Sequence, residues 1–327
     1  MRAIVYREYG GPEVLQLAEM SEPRPVKGQV LIRVEGSSIN AADYRLMRAN
    51  PFLVRLMNGL WRPMKRRVLG QDVAGVVVAI GEGVTRFSPG DRVFGETPMN
   101  ADGAFAEYCV ADERALAVLP REVSFDEGAA MPLAGTTALQ GLRLAEVKAG
   151  DRVLITGAGG GVGLFAVQIA KTLGATVTAS CGPKSVELVR SSGAEVVIDY
   201  QQISLESLAQ PFDAVVAING YQPLSTFRRL LAPGGRYVMV GGSNAQLFQA
   251  LLFARPYFAA FGRRGTTLSI DPTRQAADLE QLARWKREGL IRVIIDRSFP
   301  LDETKDAMAL AERGHVRGKI VLTTARA

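Results

Sequence analysis

The sequence predicts an α/β protein in which a β-rich N-terminal region precedes a doubly wound parallel sheet. Short β-type runs, rich in branched and aromatic residues, recur through residues 1–120 between turn signals. From Phe125 onward, helical periodicity alternates with short apolar strands, the pattern of a parallel sheet covered on both faces. One of those strands runs straight into a glycine-rich loop and an apolar helix.

The first strands are expected at Ala3–Tyr6, Val14–Ala18, Val30–Val34, Val73–Ile80, Arg92–Phe94 and Ala104–Val110. Turn signals at Gly10-Gly11-Pro12, Ser88-Pro89-Gly90-Asp91 and Ala101-Asp102-Gly103 separate them, and the spacing suits a small barrel or folded sheet. A short helix is expected over Asn40–Ala49, capped by Asn40 or a neighbour. The parallel strands fall at Val153–Thr156, Thr176–Ser180, Val196–Ile198, Ala214–Ile218 and Tyr237–Val240. The chain closes with a helix near Gln275–Glu288, a strand near Val293–Ser298, a helix near Glu303–Arg313 and a strand at Lys319–Leu322.

At 327 residues the chain is long enough for two domains. Two cysteines, Cys109 and Cys181, make no disulfide framework, so a reducing compartment is expected. The charged N-terminus is no signal peptide and no apolar run reaches the ~20 residues of a membrane span, which together predict a cytoplasmic protein. The net charge of +6 is unevenly spread. Tyr44–Gln71 and Ser243–Ile270 hold ten basic residues and no acid, which leaves −4 for the rest. A general nucleic-acid-binding face is therefore not indicated.

The strongest motif is Val153-Leu154-Ile155-Thr156 followed by Gly157-Ala158-Gly159-Gly160-Gly161-Val162-Gly163 and the helix Leu164–Leu173. In the G-x-G-x-x-G frame Ala158 takes the first place, Gly160 the second and Gly163 the third. Gly160 lets backbone approach a pyrophosphate, Gly163 lets helix and strand pack closely, and Gly161 and Val162 open the helix whose free N–H groups face the anion. The motif predicts a Rossmann-type dinucleotide site. NAD sites usually carry an acid at the end of the second strand, about 20 residues on. Here no acid lies between Leu164 and Val186, while Ser180 and Lys184, with Tyr200 after the next strand, offer a 2′-phosphate partners. NADPH is the expected cofactor; a solvated helix charge is the other reading of Lys184.

Further short motifs occur in order along the chain. They are Gly10-Gly-Pro-Glu-Val-Leu15, Ser38-Ile-Asn-Ala-Ala-Asp43, Gly70-Gln-Asp-Val-Ala-Gly75, Pro89-Gly-Asp-Arg-Val93, Gly103-Ala-Phe-Ala-Glu-Tyr108, Gly135-Thr-Thr-Ala138 and Gly314-His-Val-Arg-Gly-Lys-Ile-Val321. With the glycine loop they make the chain resemble, over essentially its whole length, the medium-chain dehydrogenase/reductase superfamily and its zinc-free quinone oxidoreductase (zeta-crystallin-like) branch. The resemblance implies a GroES-like catalytic domain at 1–121, a Rossmann NADPH-binding domain at 122–266 and a C-terminal return to the first domain at 267–327. It also implies catalysis in the cleft between them.

Zinc-containing members of the superfamily hold their metal with a Cys, a His-Glu pair and a second Cys. The matching positions here are Asn40, Gln71-Asp72 and Pro132–Leu133, with no cysteine or histidine among them. Ala129–Gly141 has no carboxylate, and two cysteines cannot build the four-cysteine structural lobe. The implied chemistry is hydride transfer without zinc to an acceptor already electrophilic, a quinone or an α,β-unsaturated carbonyl.

Within that frame Asn40 is expected to hydrogen-bond substrate or nicotinamide ribose, or to cap its helix. Thr137 matches the position beside the nicotinamide, against a hydroxyl bonded to its own helix. Tyr44 is either a proton donor and aromatic clamp or a core ring. Gln71 and Asp72 would form a polar floor, or Asp72 would hold a turn or an internal salt bridge. Asn219, Gly241, Gly242 and Ser243 follow Rossmann strands at the ligand edge of the sheet. Lys319 is a cofactor contact or an edge-strand charge, and His315 compensates a helix dipole.

The apolar, basic segments Asn50–Val68 and Gln246–Arg264 read as core, as a substrate mouth or as a weak contact for an anionic membrane surface. The expected substrate is small, apolar and electrophilic, and no nucleic acid is expected; the resemblance implies a second copy as partner, in a homodimer paired along the last Rossmann strand, Arg236–Val240. The competing functions are a zinc-free alcohol or aldehyde oxidoreductase, and a non-enzymatic NADPH-binding interaction protein or nucleic-acid binder.

Overall fold

The computed structural model describes residues 1–314 and 316–324, so the lone histidine, His315, lies outside the described residues. Among the described residues no helix is long and apolar enough to cross a membrane. In chain order the first elements are β1 (Arg2–Val5), β2 (Gln16–Glu19), β3 (Gln29–Ile39), α1 (Ala41–Arg48), α2 (Val54–Asn58), β4 (Asp72–Ile80), β5 (Arg92–Glu96), β6 (Tyr108–Asp112), β7 (Leu116–Val118), α3 (Phe125–Ala130) and α4 (Pro132–Leu144). There follow β8 (Arg152–Thr156), α5 (Gly161–Thr172), β9 (Thr176–Cys181), α6 (Val186–Ser191), β10 (Val196–Asp199), β11 (Phe212–Ala217), α7 (Leu224–Leu230), β12 (Leu231–Met239), α8 (Asn244–Gln249), α9 (Arg255–Ala259) and β13 (Arg264–Thr267). The last are α10 (Gln275–Arg287), β14 (Ile295–Pro300), α11 (Thr304–Glu312) and β15 (Lys319–Thr323).

The chain forms two compact units: Met1–Thr136 with Pro272–Glu288 and Val293–Ala327, and Thr137–Asp271 with Gly289–Arg292. The division runs through α4, later than the expected 121/122. The reason is local: α3 packs on the first sheet, where a Cβ on Gly36 would lie 3.2 Å from that of Ala129 and one on Gly128 3.1 Å from that of Ala74.

In the first unit β1 and β2 pair antiparallel, and the main sheet runs β14-β15-β3-β4-β5-β7. Strand β3 organises it. One side of β3 carries β4 along its length; the other carries β6 over Gln29–Arg33 and β15 over Gly36–Ile39. Its apolar residues Val30, Ile32 and Val34 join Val73, Val77, Val93 and Leu116 in one buried cluster, and Cys109 lies there as a free thiol. A second cluster packs Tyr6, Met47, Leu69, Phe105 and Met308 against Ile320 of β15. The barrel-or-sheet expectation thus resolves into a folded sheet. Of Ala104–Val110, only the end enters β6; Ala106 makes a lone bridge to Ala3.

The second unit holds a parallel sheet of order β10-β9-β8-β11-β12-β13. Val153, Leu154 and Ile155 are wholly buried, as a central parallel strand requires. The order reverses between β8 and β11, which makes the loops after those strands the natural ligand edge. Two expectations are corrected here. Arg236–Val240 is not the outer strand, because β13 pairs with β12 from Arg236 to Met239 and covers it. The run Arg264-Gly265-Thr266-Thr267 has no apolar signal of its own; it becomes a strand because Gly265 lets backbone close on Phe258 and Ala254, where a Cβ would come within 2.2 Å of Phe258 Cδ2. Lys319, likewise, is no edge-strand charge, since β15 lies between β14 and β3.

Segment Gln246–Arg264 divides by face. Phe258 stacks on Tyr237 at 4.9 Å, which in turn meets Phe227 at 5.0 Å, while Ala250 and Ala254 are buried beneath. Leu251, Leu252, Phe253 and Phe261 are exposed. Phe258→Ala should therefore destabilise the chain by about 3–5 kcal/mol. Phe253→Ala should move the melting temperature little; equal drops for the two variants would contradict this division.

Candidate active site

The register of three neighbouring strands places a polar cluster inside the first unit. Ile320 of β15 faces Ile39 of β3, and Ser38 of β3 faces Asp72 of β4. Lys319, the end of β3 and Asp72 are therefore brought side by side. The Asp72 carboxylate is fully buried and fully satisfied. Its Oδ2 accepts from Ser38 Oγ at 2.5 Å, Asn40 Nδ2 at 2.8 Å and Lys319 Nζ at 3.2 Å; its Oδ1 accepts the Leu133 N–H at 2.8 Å. Lys319 Nζ also donates to Asn40 Oδ1 at 2.5 Å and to the Ile39 carbonyl at 3.3 Å. A lysine has three protons, and all three are engaged.

Asn40, Gln71-Asp72 and Pro132–Leu133, the places matched to zinc ligands, do converge. They supply no thiolate or imidazole, and both oxygens of the one carboxylate on them already accept hydrogen bonds. An ammonium stands among them. The residues do not fit zinc, and among the described residues no group of three or more His, Cys, Asp or Glu could hold a metal ion.

Opposite Asp72 on β5 sits Glu96, also buried. Its Oε2 accepts from Gln71 Nε2 at 2.8 Å, and its Oε1 lies 3.3 Å from Thr136 Oγ1, whose one proton is shared with the Pro132 carbonyl. Burial, with the Asp72 charge beside it, pushes this carboxyl from 4.5 up to about 7, against the pull of hydrogen bonds from Gln71, Gln275 and Thr136. The signal for it in the sequence was an acid at the end of the apolar strand Arg92–Glu96; Ser38 and Thr136 lay unremarked inside the quoted motifs.

Asn40 is the residue before α1, but the reciprocal cap comes from Asp43, whose Oδ2 accepts the Asn40 N–H at 2.8 Å. The Asn40 carboxamide donates to Asp72 and accepts from Lys319, and its Nδ2 also lies 3.5 Å from the Ser38 carbonyl. Tyr44 is half-buried against the cluster of Met47 and Ile39, and burial raises its hydroxyl above the ordinary range. It stays protonated and is a weaker acid. On α4 it is Thr136 that bonds the helix backbone, to the Pro132 carbonyl at 2.8 Å. Thr137 is half-buried within α4, and its hydroxyl makes no hydrogen bond among the described residues.

In the second unit the glycine loop closes the end of β8. Gly157 has φ +70, and a Cβ there would strike Asn219 at 2.6 Å; the tight turn belongs to it rather than to Ala158. Gly163 packs on the loop, where a Cβ would lie 2.3 Å from the Gly157 carbonyl. Gly160 differs: a Cβ there would meet only the Gly157 carbonyl at 3.9 Å, so nothing in the chain demands a glycine and the space is open to a ligand. No side chain caps α5 and no acid lies in its first turn, so Gly161, Val162 and Gly163 present a bare helix N-terminus. Asn219 follows β11 across the switch point, its carbonyl accepting from Thr156 Oγ1.

At the end of β9 Ser180 is buried, Lys184 is exposed, and the Tyr200 hydroxyl lies over Gly182, 3.1 Å from where a Cβ would be. The nearby acid Asp199 uses both oxygens on its own turn, Oδ1 on the Gln201 N–H and Oδ2 on Gln202 Nε2. Beyond β12, Gly242 has φ +132 and Ser243 caps α8 by accepting the Gln246 N–H. The Ser243 hydroxyl thus has a local role, and Gly241 packs on the Ile218 carbonyl, 2.7 Å from a Cβ placed there. Lys319 alone of the expected cofactor contacts lies in the other unit, with no proton to offer.

Residues 26–121 match the alcohol dehydrogenase GroES-like domain and residues 192–322 the zinc-binding dehydrogenase family. A chloroplast envelope quinone oxidoreductase homolog of Arabidopsis thaliana is 33% identical over 98% of both chains. An NADPH-dependent alkenal/one oxidoreductase of the same plant is 31% identical over 98% of this chain and 79% of that one. The structure of the quinone oxidoreductase from Coxiella burnetii superposes with a TM-score of 0.90, at 31% identity over 99% of each chain.

Glu96 makes stability depend on pH in a definite sense. With its folded pKa near 7 and its ordinary value 4.5, the folded state binds more protons between those limits, so stability falls as pH rises through them. Asp43, also raised by burial, adds in the same direction. Glu96→Gln should flatten the fall in melting temperature between pH 5 and 7 and leave the variant at least as stable as the parent at pH 8, pH values of about the titration window. An unchanged slope in thermal melts would refute the assignment.

Proposed function

The chain belongs to the medium-chain dehydrogenase/reductase superfamily, in its quinone oxidoreductase branch, and on that basis we propose that it is an NADPH-dependent, zinc-independent reductase of quinones or α,β-unsaturated carbonyls. The observation that carries the reading is the uncapped N-terminus of α5 behind Gly160, open where only a ligand gives the glycine a purpose. When bound, the cofactor supplies a hydride, which with one proton reduces the acceptor and leaves NADP⁺. The α5 N–H groups hold its pyrophosphate, Asn219, Gly241 and Gly242 border the nicotinamide end, and Ser180, Lys184 and Tyr200 receive the 2′-phosphate. For the acceptor, Tyr44 is the candidate donor of the first unit and Thr137 that of the second, while Asn40 orients rather than donates. Quinones and enones are electrophilic without a Lewis acid, which suits a cluster whose cation is an ammonium rather than a metal.

The apolar surface fits such acceptors. Phe52, Leu56, Leu60, Met64 and Trp61 are exposed, Trp61 to 85%. Of the basic residues beside them, Arg66 is buried on the carbonyls of Pro98 and Gly70, Arg48 pairs with Glu312 and Arg67 with Asp102. Arg62 and Lys65 remain at the surface, suited to a weak contact with an anionic membrane. A homodimer would pair along β13, the open edge, rather than along β12.

The decisive experiment is turnover of a quinone and enone panel with NADPH under exhaustive chelation; a requirement for stoichiometric zinc, or cofactor binding without turnover of any acceptor, would defeat the proposal. Lys184→Ala should weaken NADPH binding by roughly ten- to a hundredfold while NADH barely responds. Equal losses for both cofactors would remove Lys184 from the site. Trp61→Ala and Phe253→Ala should lower kcat/KM for a long-tailed quinone more than for a small one, at about 25 cal/mol for each Å² no longer buried. Melting temperature and NADPH affinity should hold; parallel losses on every acceptor would mean these side chains serve stability instead.

A further inference from the structure

We propose that Lys319 is a built-in cation: its ammonium balances Asp72 at the place matched to the metal of zinc-dependent relatives, and it is a positioning residue for Asn40. The link to turnover rests on the reductase reading above; the internal cation itself does not.

Three oxygens from the end of β3 and the start of β4, the Ile39 carbonyl, Asn40 Oδ1 and Asp72 Oδ2, surround Nζ at 3.3, 2.5 and 3.2 Å. A fully buried carboxylate needs a partner of opposite charge, and Lys319, only 4% exposed, supplies it. The pairing also removes an ambiguity. A carboxamide has a donor end and an acceptor end of nearly equal shape, and either could face a given neighbour. An ammonium only donates and a carboxylate only accepts. Lys319 therefore holds Oδ1 while Asp72 holds Nδ2, and Asn40 has one orientation. Through Asp72 Oδ1 and the Leu133 N–H the same charge pair fixes the first turn of α4. The cation comes from β15, the far end of the chain, and enters by register rather than by any motif spacing.

The test uses the full chain. In Lys319→Met the buried carboxylate loses its counter-charge, so the melting temperature should fall and kcat should drop by about tenfold or more, with the NADPH dissociation constant within about twofold of the parent. The double variant Lys319→Met/Asp72→Asn has no orphan charge; its melting temperature should recover while kcat stays low. Recovery of kcat together with stability would show a purely structural role and overturn the positioning claim. A thermal readout covers the cation independently of turnover. Lys319→Ala lacks the fragment that propylammonium resembles, so propylammonium chloride should raise its melting temperature, whereas potassium chloride should not. The parent and Lys319→Ala/Asp72→Asn should not respond to propylammonium. Absence of that selective gain overturns the built-in cation. A parent chain that reduces no quinone or enone counts against the proposed function alone, and the thermal comparison still decides the role of Lys319.

Discussion

A carboxylate sealed from solvent must find all its partners inside the protein, and the partners of Asp72 determine the layout of the first unit. They come from the end of β3, from the first turn of α4 and from β15. Each would be left unpaired at a cost of several kcal/mol if the strands slipped by one position, because a one-residue slip turns Asp72 to the other face of its sheet. The cluster thus specifies register as well as charge. Glu96 shows the other side of the same constraint. It lacks a cation of its own and faces the Asp72 charge, so its proton is held into the neutral range.

The second unit rests on a different device. Its central strands β8 and β11 are largely apolar, and tight glycine packing gathers where the strand order reverses. There the first turn of α5 has no side-chain cap, so its backbone N–H groups are left for another partner. Gly157 makes the turn, Gly163 brings the helix close and Gly160 leaves room, three reasons for glycine within seven residues. One unit therefore holds its polar groups by charged side chains, the other by exposed helix N–H groups.

The legibility of these features followed their locality. The loop after β8 was readable because strand, turn and helix are contiguous. The missing acid at the end of β9 and the missing metal ligands were readable as plain absences of residue type. Lys319 was misjudged as an edge charge, since nothing in Arg317-Gly318-Lys319 reveals that Asn40, 279 residues away, accepts its hydrogen bond. Asn40 was read as a substrate or ribose contact or a helix cap, and its bonds to Asp72 and Lys319 join stretches too far apart in sequence to announce themselves. The apolar segment Gln246–Arg264 was correctly ambiguous: its residues divide between core and surface at single-residue resolution.

By itself the sequence determined the α/β class, the nucleotide loop, the absence of zinc chemistry's ligands and the family, because each depends on residue types over short stretches or on motif order. Only the tertiary structure decided that β13 covers β12, that Phe258 is core while Phe253 is not, and that Lys319 neutralises Asp72. Strand pairing and burial are set by what the chain meets when it packs. Gly265 becomes a strand residue because Phe258 closes on it, and Lys319 becomes a counter-ion because β15 pairs with β3 in one register.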